Sequence, residues 1–569
     1  MGRAHTDVDY FTVEVIQNAL TAAGDEMFTI LQRTAHSPLI FETLDFAVGA
    51  TDRNGELVCM GNGVTGFLGT LDAAVRDVIR KFGQTGKLRP GDIYILNTPW
   101  EGGGSHLSDV SLVMPVFDGE EPIAFTVNKA HWSEIGGMSP GSVTSDSTEI
   151  YQEGLHFPNV KLFEEGRMLD SLVDLIRANV RLPDMTIGDM WAGIAALRTG
   201  ESRIQGLVKK YGRGAVTTAM DRLLDYGETM VRAEMKKLPK GSFSAVDYID
   251  SDGLGGGPFE IRCTVTITDD AFVADFTGSH PQVRGSINTT ATNLGSRARA
   301  VFRAITAPQV PTNGGMYRPL KVICPPGTIF TAQPPAPMST YYETAIMAID
   351  LMWKALAPHI PERLTAGNLA SVCGAMFSGR HPDTGEFWLL FGPYLGGWGA
   401  ANDFDGQRAQ FCAGNGETYN IPIELAEARY GLAVEQYALR QDPGGFGEFC
   451  GGAGVVLDYR VTSEEAVFSC GFGRFGYPAW GVDGGQDGLT NYAVVIRQDG
   501  REEVYGKVSR VPLKRGDVVR LVTATGGGWG DPKKRARDRV ATDLRDGFIT
   551  PAIAREVFGY VADVAAERV

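Results

Sequence analysis

Residues 101–137 read EGGGSHLSDVSLVMPVFDGEEPIAFTVNKAHWSEIGG. Within them, residues 110–117 and 122–129 are apolar runs rich in β-branched side chains, separated by Asp118-Gly119 and two glutamates. Two such runs about a short Asp-Gly connection predict an antiparallel hairpin. Folding it about its turn sets Asp109, at the start of the first strand, nearly opposite His131, at the end of the second. Directly opposed residues hold their Cβ atoms about 4.5–5.5 Å apart. His106 follows a glycine run and stands three residues before Asp109, close enough to curl over the same strand end. Two imidazoles and a carboxylate therefore converge at one mouth of a sheet, an arrangement that can hold a metal. Asp45, in a strand-like run elsewhere, is the candidate fourth ligand. Two His and one or two carboxylates without thiolate suit zinc, manganese or iron and single out none of them. Glu134, just past the hairpin, is a candidate general base for metal-bound water, and Lys129 a second candidate catalytic group. A solvated loop carboxylate is the plainer reading of Glu134.

Outward from the hairpin, a four-residue step at Val15, Ala19, Ala23, Met27 and Leu31 predicts an amphipathic helix over residues 12–34. Residues 44–52 and 55–61 read as two strands about an Asn54-Gly55 turn. Helices are expected over residues 71–82, 169–181, 187–210, 215–237, 293–306 and 342–356. The polar stretch 138–154, without periodicity, has the length of a loop that lines or closes a site. A long Gly-rich β region runs to Gly530, and helical tails follow over 535–546 and 551–567. The expected fold is α+β, multidomain and rich in antiparallel strands. Residues 1–240 form a mixed α/β, metal-bearing N-terminal domain, 241–340 a middle β-containing domain, and 341–569 a Gly-rich β region with C-terminal helices.

Composition narrows the functions. The chain has 569 residues, 43% of them hydrophobic, and a net charge of −15. That charge opposes binding to nucleic acid or to anionic membrane surfaces. No apolar run approaches the ~18 residues of a membrane span, and residues 1–11 lack the pattern of a signal peptide. Seven cysteines scattered singly, with no CxxC pair, read as reduced thiols in a cytoplasmic protein. Three strings imitate other sites. GNGVTG (61–66) and GFGRFG (471–476) match the dinucleotide fingerprint, and GMSPG (137–141) matches the nucleophile elbow with Ser139. None has the strand–turn–helix context its motif requires, so turns and close packing are the expected roles. The glycines of 444–454 likewise read as tight turns. No GxxxxGK[ST] string occurs.

Eight stretches resemble one family along nearly the whole chain: LDFAVGATD (44–52), GGGSHLSDV (102–110), NKAHWSEIGGMSPGS (128–142), EGLHFPNVKLFEEG (153–166), DFTGSHPQVRGSIN (275–288), PIELAEARYGL (422–432), LRQDPGGFGEFCGGAG (439–454) and GGGWGDP (526–532), in the family's order and spacing. The chain is similar to the B-type subunits of the hydantoinase/oxoprolinase group. These include N-methylhydantoinase B, the caprolactamase B-type subunit and the α-type subunits of acetone and acetophenone carboxylases. The resemblance implies that His106, Asp109, His131 and Asp45 match the family's metal ligands. It also implies an A-type partner that carries ATP with Mg, together forming a hetero-oligomer acting on a small amide or ketone. A cyclic-amide hydrolase is the first reading, a ketone carboxylase the alternative, and a non-catalytic partner with a structural metal the third. The chain departs from the family at Asn97-Thr98-Pro99-Trp100, at Trp132, Glu134 and Cys450, and at Phe411-Cys412. Trp100 and Trp132 would add aromatic surface near the metal.

Overall fold

The computed structural model describes residues 8–83, 86–416, 418–442 and 444–561. Its first element is helix α1 (Tyr10–Thr34), capped by Asp9, whose carboxylate accepts the Thr12 N–H. A seven-stranded sheet follows, made of β1 (Phe46–Asp52), β2 (Leu57–Gly63), β3 (Ile93–Leu96), β4 (Asp109–Asp118), β5 (Glu121–His131), β6 (Val160–Glu164) and β7 (Arg167–Met168), in the order β2-β1-β5-β4-β3-β6-β7. Helix α2 (Leu71–Val78) lies on this sheet, and α3 (Pro183–Tyr211) packs on β4, β5 and α1. Covered by helices, β1 and the central hairpin are buried almost throughout, which is why their sequences are continuous apolar runs rather than alternating ones. Helix α4 (Arg213–Met235) completes this part.

The second sheet joins Gly241–Ile249, Phe259–Ile267, Phe272–Asp275 and Leu320–Ile323, the last parallel to its neighbour. Two helices accompany it: α5 (Ala291–Thr306), and α6 (Tyr341–Leu356), buried on nearly every side. A helix apolar all round belongs to a core, and α6 packs on both α5 and the second sheet. The remaining two sheets are antiparallel. One orders Phe387–Gly392, Gly374–Arg380, Glu465–Gly471 and Lys507–Lys514; the other orders Leu432–Leu439, Val455–Val461, Val518–Val522, Tyr492–Ile496 and Glu502–Tyr505. The fold is thus α+β and multidomain, with antiparallel pairing dominant. A short helix at Ile423–Arg429 interrupts the region read as purely β.

The Gly-rich turns do what close packing demands. A Cβ on Gly451 would stand 2.0 Å from the Gly526 carbonyl oxygen, and one on Gly452 would stand 1.9 Å from that of Gln407. Tail helices Arg537–Arg545 and Pro551–Glu556 cover Phe446 of this layer. The expected tail beyond residue 561 lies outside the described residues. Among the described residues no helix is long and apolar enough to cross a membrane.

Candidate metal centre

The hairpin places its ends in the register read from the sequence: Asp109 pairs with His131 across β4 and β5. His106 folds back because the Asp109 N–H donates to its carbonyl (3.2 Å). The His106 Nε2 atom lies 2.9 Å from Asp109 Oδ1 and 3.2 Å from His131 Nδ1. Asp45 is carried in by β1, the other neighbour of β5; its carbonyl accepts the His131 N–H (3.0 Å) and its Oδ2 lies 3.7 Å from His131 Nδ1. The compact group is His106, Asp109 and His131, all buried, with one ligand atom of each within 4.8 Å of the others. Asp45 forms the adjoining wall of the same small cavity of about 40 Å³.

Residues from far along the chain finish the site. His106 Nδ1 donates to the Ser339 carbonyl (2.9 Å), which in the neutral ring leaves the Nε2 lone pair facing inward. Asp109 Oδ2 accepts from the Ser105 hydroxyl and from the Tyr341 phenol (2.9 Å), so Oδ1 is the oxygen left to the cavity. The His131 ring stacks on Phe391, with centroids 5.3 Å apart, and its buried Nε2 has no hydrogen-bond partner. Acceptor atoms aimed at one another are relieved by a proton on His106 or by a cation among them. The three residues can therefore hold a metal ion, with donors that suit a borderline or hard divalent cation.

Electrostatics agree with that geometry. Burial opposes the charged form of Asp109, but His106 and His131 outweigh it and hold the carboxyl well below its usual range. Burial and the neighbouring Asp109 charge push Asp45 up to about 7. Burial would lower His106, yet its contacts with Asp109 raise it; burial leaves His131 lowered. Tyr341, raised well above its ordinary value by burial and then by Asp109, remains a neutral donor.

Glu134 and Lys129 are not brought to the cavity. Glu134 is wholly buried and accepts the N–H groups of Gly136 and Gly141 and the Arg181 guanidinium. Lys129 donates to Thr70 Oγ1 (2.8 Å) and the Gly103 carbonyl (2.5 Å), and burial lowers its pKa to about 8. Both brace the backbone around the His–Asp–His group. Trp132 packs beside Phe157 in the core and Trp100 donates to the Ala332 carbonyl; the aromatic surface of the cavity comes instead from Phe67, Tyr341, Tyr342 and Phe391. Loop 138–154 does not line the cavity either. It buttresses it: Thr144 N–H donates to Ser339 Oγ, and Glu153 accepts the Met338 N–H. The Ser139 hydroxyl is held by Arg510. Tyr341, Phe391 and Arg297, which help to close the cavity, and Ser339, which holds His106, carried no local signal. The nearest hint was a Tyr-Tyr-Glu start on a helix otherwise too apolar to face solvent.

A protein-family model described as hydantoinase B/oxoprolinase matches residues 9–532. The chain belongs to the hydantoinase B/oxoprolinase family. It is 32% identical to the B-type subunit of a putative D-/L-hydantoinase from Pseudomonas sp. (strain NS671), covering 98% of this chain and 97% of that one. The crystal structure of an ATP-dependent caprolactamase from Pseudomonas jessenii superposes with a TM-score of 0.92 at 30% identity, over 98% and 97% of the two chains. A nucleotide-free acetone carboxylase superposes at 0.89 with 18% identity, over 98% of this chain and 80% of that one, a likeness of fold. Within the hydantoinase B/oxoprolinase fold, this chain's His–Asp–His group sits where the central hairpin opens towards α6.

Proposed function

We propose that this chain is the metal-binding, B-type subunit of an ATP-dependent cyclic-amide hydrolase, working with an A-type subunit that binds ATP and Mg. The observation that carries the reading is the buried His106–Asp109–His131 group, in a chain that matches a caprolactamase structure end to end. His106 Nε2, His131 Nδ1 and Asp109 Oδ1 are the ligand atoms, with Asp45 Oδ2 as the fourth. A divalent zinc, manganese or iron bound there would polarise a carbonyl oxygen or lower the pKa of water to about 7. The chain's own residues supply the positioning. The Ser339 carbonyl fixes the His106 tautomer, and Tyr341 with Ser105 turns one Asp109 oxygen away from the cavity. Phe391 covers His131 and excludes water.

The test uses the full chain co-expressed with an A-type subunit, assayed on lactams, hydantoins and simple ketones with ATP, with and without bicarbonate. ATP-dependent ring opening that ignores bicarbonate is expected. Acid formation from a ketone that requires bicarbonate would transfer the assignment to the ketone carboxylases. Metal analysis of wild type and His131→Ala completes it: about one ion per chain, lost in the folded variant, is expected. Equal metal in both would remove the centre from the proposal.

A further inference from the structure

Arg297 stands on α5 with its guanidinium in the wall of the same cavity, and it is only 2% exposed. Its Nη1 donates to the Gly414 carbonyl at 3.2 Å, while its Nε is buried with no partner. Among the described residues no carboxylate approaches it within 4.0 Å. A guanidinium carries five N–H donors and cannot shed its charge, so this one is poorly satisfied for its depth. Its slot is cleared by glycine on two sides: a Cβ on Gly66 would fall 2.1 Å from Nη1, and one on Gly414 would fall 2.9 Å from it. Among the described residues that line the cavity, the carboxylates are Asp45 and Asp109. A divalent ion bound at the centre would neutralise those two, and would leave the guanidinium charge unmatched by them. A buried cation persists when something pairs with it. The planar fork of arginine fits two-oxygen anions, phosphoryl or carboxylate, in bidentate fashion.

We propose that Arg297 recognises an oxyanion, a phosphoryl or carboxylate group, on the ligand that binds beside His106, Asp109 and His131. The proposal rests on the reading of those residues as a metal centre. It makes Arg297 a specificity-determining residue: it admits a substrate that arrives carrying an anionic group and orients it against the metal.

The experiment loads the full-length protein with Mn(II) and follows paramagnetic line broadening of inorganic phosphate by 31P NMR and of carboxyl-labelled acetate by 13C NMR. Wild type, Arg297→Lys, Arg297→Met and Gly66→Ala are compared at matched Mn(II) content. Gly66→Ala keeps the arginine but displaces the mobile end of its side chain, which serves if Arg297→Met does not fold. Saturable broadening of either anion in wild type is expected, largely kept in Arg297→Lys and weakened roughly tenfold or more in the other two. A preference for phosphate points to a phosphorylated ligand, and a preference for acetate to a carboxylate. Bound Mn(II) with no saturable broadening, or with broadening indifferent to all three substitutions, overturns the role of Arg297 alone. A wild-type protein that takes up no Mn(II) overturns the metal reading and this proposal with it.

Discussion

Asp109 divides its two oxygens between two duties: Oδ2 is taken by the hydroxyls of Ser105 and Tyr341, and Oδ1 faces the imidazoles. Removing the phenol therefore loosens the ligand without touching it. Tyr341→Phe is expected to lower metal affinity by about 10–100-fold with the fold intact, measured by competition with a chelating dye. Undiminished affinity would show that Ser105 alone suffices. Glu153 gives a second residue-scale test. It is buried, accepts from the Ser147 hydroxyl and the Met338 N–H, and burial pushes its pKa from 4.5 up to about 7. Because the folded value lies above the unfolded one, the protein loses stability as pH rises from about 4.5 to 7 and is level beyond. Glu153→Gln should abolish that component, gaining on wild type by up to roughly 3 kcal/mol across the interval. A thermal-midpoint difference constant from pH 5 to 8 would refute it. At this scale the convergence of His106, Asp109 and His131 was readable, because they lie in or beside one hairpin. Ser339, Tyr341, Phe391 and Arg297 were not, since nothing local distinguishes a cavity wall from core.

At the scale of elements, local rules served well where the partners were neighbours in sequence. The Asp118-Gly119 turn starts the hairpin, with Gly119 at φ 63°, and a bulge between the Phe117–Pro122 and Val116–Ala124 pairs shifts the register by one residue to the one that sets Asp109 against His131. Helix α1 shows where they slipped. A strict four-residue step drifts around a helix of 3.6 residues per turn, so Val15 ends up half-exposed while Val13, Ile16, Leu20, Ala23, Met27 and Leu31 form the buried stripe. The same helix explains the GNGVTG string. Gly24 of α1 meets Gly61 of β2 so closely that a Cβ on Gly61 would stand 2.7 Å from the Gly24 carbonyl oxygen. Gly61→Ala is expected to cost about 1–3 kcal/mol and lower the thermal midpoint. A midpoint equal to wild type would mean that α1 can lift off β2 freely.

Across the whole molecule, the middle and C-terminal sheets are tied by one buried cation. Arg474, inside the GFGRFG string, bonds Asp350 on α6 and lies 3.2 Å from Asp247 on the second sheet, while Trp480 donates to Asp350 (2.7 Å). Arg474→Met would leave buried Asp350 with the Trp480 indole and Asp247 with Lys354 in place of the guanidinium, and a loss of about 3–5 kcal/mol is expected from the urea midpoint. A smaller shift would mark the network as dispensable. Such ties join residues more than a hundred positions apart, beyond any pattern of periodicity or spacing.

The placement of the cavity walls also has a history in time. A ribosome releases Asp45, His106, Asp109 and His131 early, and Arg297, Ser339, Tyr341 and Phe391 only after more than half the chain exists. An ion bound by the hairpin would then be enclosed by what emerges later. Which metal filled such a site would be decided by the ions on hand as the chain is made, and a chelator added to the finished protein would have to wait for the walls carried by α6 to move.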